Sequence, residues 1–234
     1  MNRTKQLLAA MGEKGLSAAW ILSAENMRYL TGFAGEGSLF VSAGKCVILT
    51  DFRYIEQAAR ESPEFPVVRT SGELKVEDAL KALFDELDLK SVAIERNLVT
   101  LEQYDRLPKG VEYPPLSGIP ERLRRVKDEA ELAAIRTASE IACRAFDEML
   151  SVIRAGMTEK EVAVELNNRM LRLGSEREAF STIACAGING SLPHAVPSDY
   201  KLQAGDLLTL DFGAQVNGYK TDMTRTVGIG KVSD

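Results

Sequence analysis

A chain of 234 residues with 45% apolar and 27% charged side chains is long enough for one large or two modest domains with real cores. Its formal net charge of −5 gives no electrostatic basis for binding nucleic acid or an anionic membrane surface. No apolar run reaches the length of a membrane span, and Cys46, Cys143 and Cys185 are too scattered for a zinc knuckle or a disulfide framework, so they read as small buried thiols in a reducing cytoplasm.

The opening MNRTKQLLAAMGEKG lacks the apolar stretch of a signal peptide, and its pattern predicts an amphipathic helix over 4–14. AAWIL at 18–22 predicts a strand, and two more strands follow at 38–41 and 46–49 around the turn Ala43-Gly44-Lys45. The glycine-rich stretch 32–37 lacks the order of a phosphate-binding loop and reads as a turn. A helix over 52–61 stops before Pro63. A strand at 66–69, a helix over 74–87, a strand at 92–94 and a helix opened by Thr100 and running to about Leu107 complete an alternation that implies an α/β layer domain.

Residues 109–120, KGVEYPPLSGIP, hold two glycines and three prolines and suit a linker, so domains 1–120 and 121–234 are expected. The basic run at 122–127 is short and followed at once by acids, as in a solvated helix start. Ile135, Ala138, Ala142, Ala145, Met149 and Val152 then mark one face of a long helix over 127–154, with Gly156 as its stop. Thr158-x-x-Glu161 is a capping box that opens a second helix ending at Gly174, and 181–186 predicts a strand.

The segment DLLTLDFGAQVNGYKTDMTRTVGIG reads as two strands joined at Asn217-Gly218, a strong hairpin signal. With Asn217-Gly218 as the central pair, Asp211 faces Thr224 and Asp222 is its diagonal neighbour; with Val216-Asn217 central, Asp211 faces Asp222 directly. Either register puts both aspartates on one face, where their repulsion is relieved by a divalent cation between them. A pair of strand carboxylates is ordinarily just solvent-facing. Here Leu207, Leu208, Leu210 and Phe212 predict a strand apolar on both faces and hence buried, and a buried Asp needs a partner. His194, the only histidine in the chain, lies in a loop bounded by Pro193 and Pro197, where a neutral imidazole could donate to a substrate carbonyl.

The run PHAVPSDYKLQAGDLLTLDFGA, continued by GYKTDMTRT, resembles the pita-bread metallopeptidases of the Xaa-Pro branch, aminopeptidase P and the prolidases. ENMRYLTGFAGEGSLF and LTDFRYIEQA resemble the creatinase-type N-terminal domain of the same branch, with Asp51, Arg53 and Tyr54 expected to be structural or interdomain contacts. The resemblance implies an α/β creatinase-type domain followed by the first half of a pita-bread catalytic domain. It implies a cytoplasmic enzyme, dimeric at full length, that cleaves between an N-terminal residue and proline in Xaa-Pro peptides. Two divalent ions are implied, Mn2+ foremost with Co2+ or Zn2+ acceptable, with Asp211 chelating one ion and Asp222 bridging both. His194 is implied as the substrate-side histidine. The family's remaining His and its two Glu lie beyond Asp234, so the ligand set is expected to be incomplete, the chain inactive by itself, and the apolar inner face prone to association.

Two other functions fit the same chain. A non-catalytic pita-bread module would bind peptide or protein without turnover. A metal-free creatinase-like hydrolase shares the layout, but such a site has no need for the Asp211 and Asp222 pair.

Overall fold

The computed structural model describes residues 3–232, which divide between Val126 and Lys127 into two compact units. The first unit runs α1 (Arg3–Gly12), β1 (Ala18–Ile21), α2 (Ala24–Thr31), β2 (Ser38–Ser42), β3 (Cys46–Asp51), α3 (Ile55–Glu61), β4 (Val67–Thr70), α4 (Val76–Glu86), β5 (Ala93–Ile94), α5 (Leu101–Arg106) and α6 (Ile119–Leu123). Its five-stranded sheet has the order β4-β3-β2-β1-β5, antiparallel through β1, β2 and β3 and parallel at both edges. Both faces are covered. Ala19, Ile21, Leu39 and Ile48 join α1 and α2 in one core; Trp20, Phe40, Val47 and Leu49 join Leu80, Leu83 and Phe84 of α4 in the other. Burial on both faces explains why these strands read as near-continuous apolar runs.

Helix α2 has no counterpart among the elements expected from sequence. It is a short helix capped by Ser23, whose Oγ accepts from Asn26 N, and closed by Gly32 at φ 87°. That conformation is why the glycine-rich stretch begins where it does. The unit boundary falls beyond the expected one at Pro120, because α6 belongs to the first unit. Ile119 is fully buried in its core, Asn26 Nδ2 donates to Glu121 Oε1 (2.6 Å), and Arg124 donates to Asn26 Oδ1 (2.9 Å). Asp51 binds Arg53 in an exposed local pair, a structural contact of modest worth.

The second unit runs α7 (Glu129–Leu150), α8 (Glu159–Arg172), β6 (Ile183–Ala186), β7 (Leu207–Phe212), β8 (Gln215–Val216), β9 (Tyr219–Lys220) and β10 (Met223–Gly228). Helix α7 starts at an Asp128–Glu131 capping box and ends short of the expected 154. The amides of Val152 and Ile153 both return to Met149 O, and Gly156, at φ 91°, instead serves the turn into α8 and donates to Leu202 O. The capping box at Thr158 forms as expected: Thr158 Oγ1 accepts from Glu161 N and Glu161 accepts from Thr158 N. Thr158→Ala is expected to cost about 1 kcal/mol in a denaturation midpoint.

Strands β10, β7 and β6 form an antiparallel sheet with α7 and α8 packed on one face. Ala138, Ala142, Ala145 and Met149 of α7 meet Val162, Leu166 and Met170 of α8 above Leu208, Leu210 and Phe212, with Phe146 stacked on Phe212 at 6.1 Å. The expected two-faced burial of β7 does not occur. Leu208, Leu210 and Phe212 are buried, whereas Leu207 is 57% exposed and Thr209 and Asp211 are only half-buried. Cross-strand Thr224 and Thr226 line the face of Asp211 and keep it polar.

Candidate functional site

The hairpin that carries both aspartates is set by its turn. Asn217 and Gly218 have φ of 49° and 74°, the pair of positive values a two-residue primed turn requires. Gln215 pairs with Lys220 and Val216 with Tyr219, so Asn217-Gly218 is the central pair and Asp211 faces Thr224. Asp222 is therefore the diagonal neighbour of Asp211 on the same face, the first of the two registers open to the sequence. Diagonal side chains in such a ladder lie about 7–8 Å apart or less.

Between the two halves of the hairpin the backbones almost touch. A Cβ on Gly213 would lie 1.9 Å from Thr221 O. Gly213 O accepts from Ala179 N, and Thr221 N donates to Ala214 O. The buried Thr221 hydroxyl meets Ser139 Oγ of α7 at 3.4 Å. The residue directly before Asp222 is thus held from the hairpin and from α7 together.

Asp211 is half-buried, and Thr224 Oγ1 donates to its Oδ1 at 2.9 Å. Asp222 is exposed. The described residues place no third His, Cys, Asp or Glu with this pair. Two carboxylates suit hard divalent ions, but such ions take more oxygen ligands than two side chains supply. By themselves the two carboxylates make at most part of a metal centre.

His194 is exposed in the loop between β6 and β7, after the short 3-10 turn Asn189–Ser191. The loop leaves β6 at Ala186, opposite Leu208, whereas Asp211 sits opposite Ile183 at the other end of that pairing. The residue that organises this loop carries no motif in the sequence. Glu159, the first residue of α8, is fully buried. Its carboxylate accepts from Ala186 N (2.8 Å), Ser198 N (2.9 Å), Ser198 Oγ (2.6 Å) and Asn189 Nδ2 (3.2 Å). An acid in a first helical turn ordinarily complements the helix dipole at the surface, so nothing local marks Glu159 as buried.

Burial works to raise the pKa of Glu159, but the hydrogen bonds from Ser198, Ala186 and Asn189 outweigh it and hold the carboxyl below its ordinary range. Burial pushes the neighbouring Cys185 thiol up to about 11, with the Glu159 charge adding to the effect. A depressed folded pKa contributes stability that is complete above the unfolded Glu value of about 4.3 and is lost as pH falls through the folded value. Amide exchange in 187–197, corrected for its intrinsic pH dependence, is therefore expected to stay flat from neutral pH to about 5 and to accelerate only below the ordinary Glu range.

Residues 3–126 match the Creatinase/Prolidase N-terminal domain, and residues 133–234 match Metallopeptidase family M24. An uncharacterized peptidase of Bacillus subtilis is 35% identical over 99% of this chain and 66% of its own length. A solved Xaa-Pro dipeptidase from Bacillus anthracis superposes with a TM-score of 0.93 at 33% identity, over 99% of this chain and 66% of that one. An X-Pro aminopeptidase from Thermotoga maritima gives 0.89 at 34% identity, over 100% of this chain and 67% of that one. The chain spans about two thirds of the length of these relatives.

Proposed function

The chain belongs to metallopeptidase family M24, with a creatinase/prolidase N-terminal domain ahead of the peptidase region, and on that premise we propose that its protein hydrolyses the bond between an N-terminal residue and proline. The observation that carries this reading is the placement of Asp211 and Asp222 as diagonal neighbours on the polar face of one hairpin. Relatives described as an Xaa-Pro dipeptidase and an X-Pro aminopeptidase support the substrate class.

In this reading Asp211 and Asp222 would hold divalent ions, with Mn2+ as the proposed occupant and Co2+ or Zn2+ as substitutes. Bound ions of this kind polarise the scissile carbonyl and make a water more acidic. The chain's own residues orient and stabilise. Thr224 fixes the rotation of the Asp211 carboxylate by donating to Oδ1, which leaves its other oxygen free as a donor atom. His194 approaches from its loop and donates to the carbonyl oxygen as negative charge builds there. The protein works in the cytoplasm as a homodimer, and the other metal donors come from outside the described residues.

Release of the N-terminal residue from a short Xaa-Pro peptide, with and without Mn2+, tests the proposal. It is run on the 234-residue chain and on a form extended to the length of its relatives. Turnover by either that needs the metal and disappears when proline is replaced by alanine is expected. Peptide binding without turnover, unchanged by chelator, would replace the enzyme with a binding module. Turnover indifferent to chelator would favour a metal-free hydrolase.

A further inference from the structure

We propose that Glu159 is a positioning residue for His194, acting as a clamp that closes the base of the loop 187–197; this rests on the role given to His194 above. The loop departs from Ala186 at the end of β6 and returns at Ser198. Both points bind the same buried carboxylate: Oε1 accepts from Ala186 N, and Oε2 accepts from the backbone and the hydroxyl of Ser198. Asn189 Nδ2, inside the loop, reaches both oxygens (3.3 and 3.2 Å).

Helix α8 continues the clamp with its backbone. The first amides of a helix lack intrahelical partners. Here Glu159 N donates to Tyr200 O and Lys160 N to Ser198 O, so the returning strand of the loop is fixed by the helix terminus. The loop itself has little else to hold it. Its internal bonds are short-range turns, such as Ser191 N to Ile188 O and Ala195 N to Leu192 O. Ile188, Leu192 and Val196 are 85%, 58% and 79% exposed, and His194 is exposed as well. With no core of its own, the loop takes its order from its base. Four donors converge on one ionised group without a basic side chain among them, an arrangement that holds the charge in place and spends it on geometry.

Under this reading Glu159 acts only through His194, and that sets the test. Glu159→Gln keeps the shape and removes the charge. In the metal-free protein, amide exchange at Ala186, Ser198 and along 187–197 is expected to rise by about tenfold or more, the scale of one hydrogen bond to a charged group, while amides of α7 and β7 keep their rates. In turnover of an Xaa-Pro peptide, kcat falls by about 10–100-fold, as for other residues that orient a reacting group, with KM near its parent value. Adding Glu159→Gln to His194→Ala costs nothing further.

Unchanged loop exchange, or losses from Glu159→Gln and His194→Ala that add, overturns the proposal. If Glu159→Gln does not fold, the pair Asn189→Ala and Ser198→Ala removes the loop's side-chain donors with the carboxylate left in place, and the same readings apply. If the loop loosens but His194→Ala leaves turnover intact, His194 has no part in the reaction. The positioning role then fails while the rest of the metallopeptidase reading stands.

Discussion

Asp222→Asn is expected to abolish manganese-stimulated hydrolysis of Xaa-Pro peptides while leaving the fold intact. Asp222 is exposed and the substitution is isosteric, so packing does not change. What changes is charge. A carboxylate that would hold cations through two acceptor oxygens becomes a neutral amide with one. The loss of turnover should reach at least about 100-fold, the upper range for residues that only support a metal ligand. Isothermal titration with Mn2+ should show weakened binding in parallel, and the thermal midpoint of the metal-free protein should match the parent. Full activity in Asp222→Asn would remove the hairpin from the proposed centre. Lost activity together with a lowered midpoint would mean that the residue supports the fold and would leave the metal assignment without its main observation.

What could be read from sequence was what depends on near neighbours. Thr158 and Glu161 are three residues apart and cap each other, and Asn217-Gly218 fixes a turn by its own backbone preferences. Together they located the hairpin and the start of α8, and with them Asp211 and Asp222. The features that escaped depend on distant partners. Glu159 draws its meaning from Ala186 and Ser198, 27 and 39 residues on, and nothing in Thr158-Glu159-Lys160 marks the middle residue as buried. The polarity of the Asp211 face is decided by Thr224 and Thr226 across the ladder, so the apolar Leu207 misled the reading of its strand. Helix α2 was hidden for another reason. It has eight residues, too few for an apolar period to stand out from the glycine-rich stretch that follows.

Gly213→Ala is expected to destabilise the second unit by about 3 kcal/mol or more, at or beyond the upper end of ordinary overpacking. The added Cβ would sit 1.9 Å from Thr221 O and 2.9 Å from Thr221 C, with Ala179 Cβ at 3.0 Å behind it. Two of these three neighbours are backbone, and they cannot rotate away as a flexible side chain could. Relief requires the two hairpin strands to part where Thr221 N donates to Ala214 O, or Gly213 to move where its carbonyl accepts from Ala179 N. Parting them moves Thr221, and Asp222 is the next residue. The substitution is therefore expected to couple a stability loss to weaker Mn2+ binding at the proposed centre, although Gly213 has no side chain. Gly12→Ala is the comparison: nothing lies within 4 Å of its added Cβ, and alanine favours the end of α1, so its denaturation midpoint should equal or exceed the parent's. If Gly213→Ala unfolds at the parent's midpoint, the close approach at Thr221 does not constrain the hairpin. The diagonal placement of Asp222 against Asp211 would then have to come from the Asn217-Gly218 turn alone.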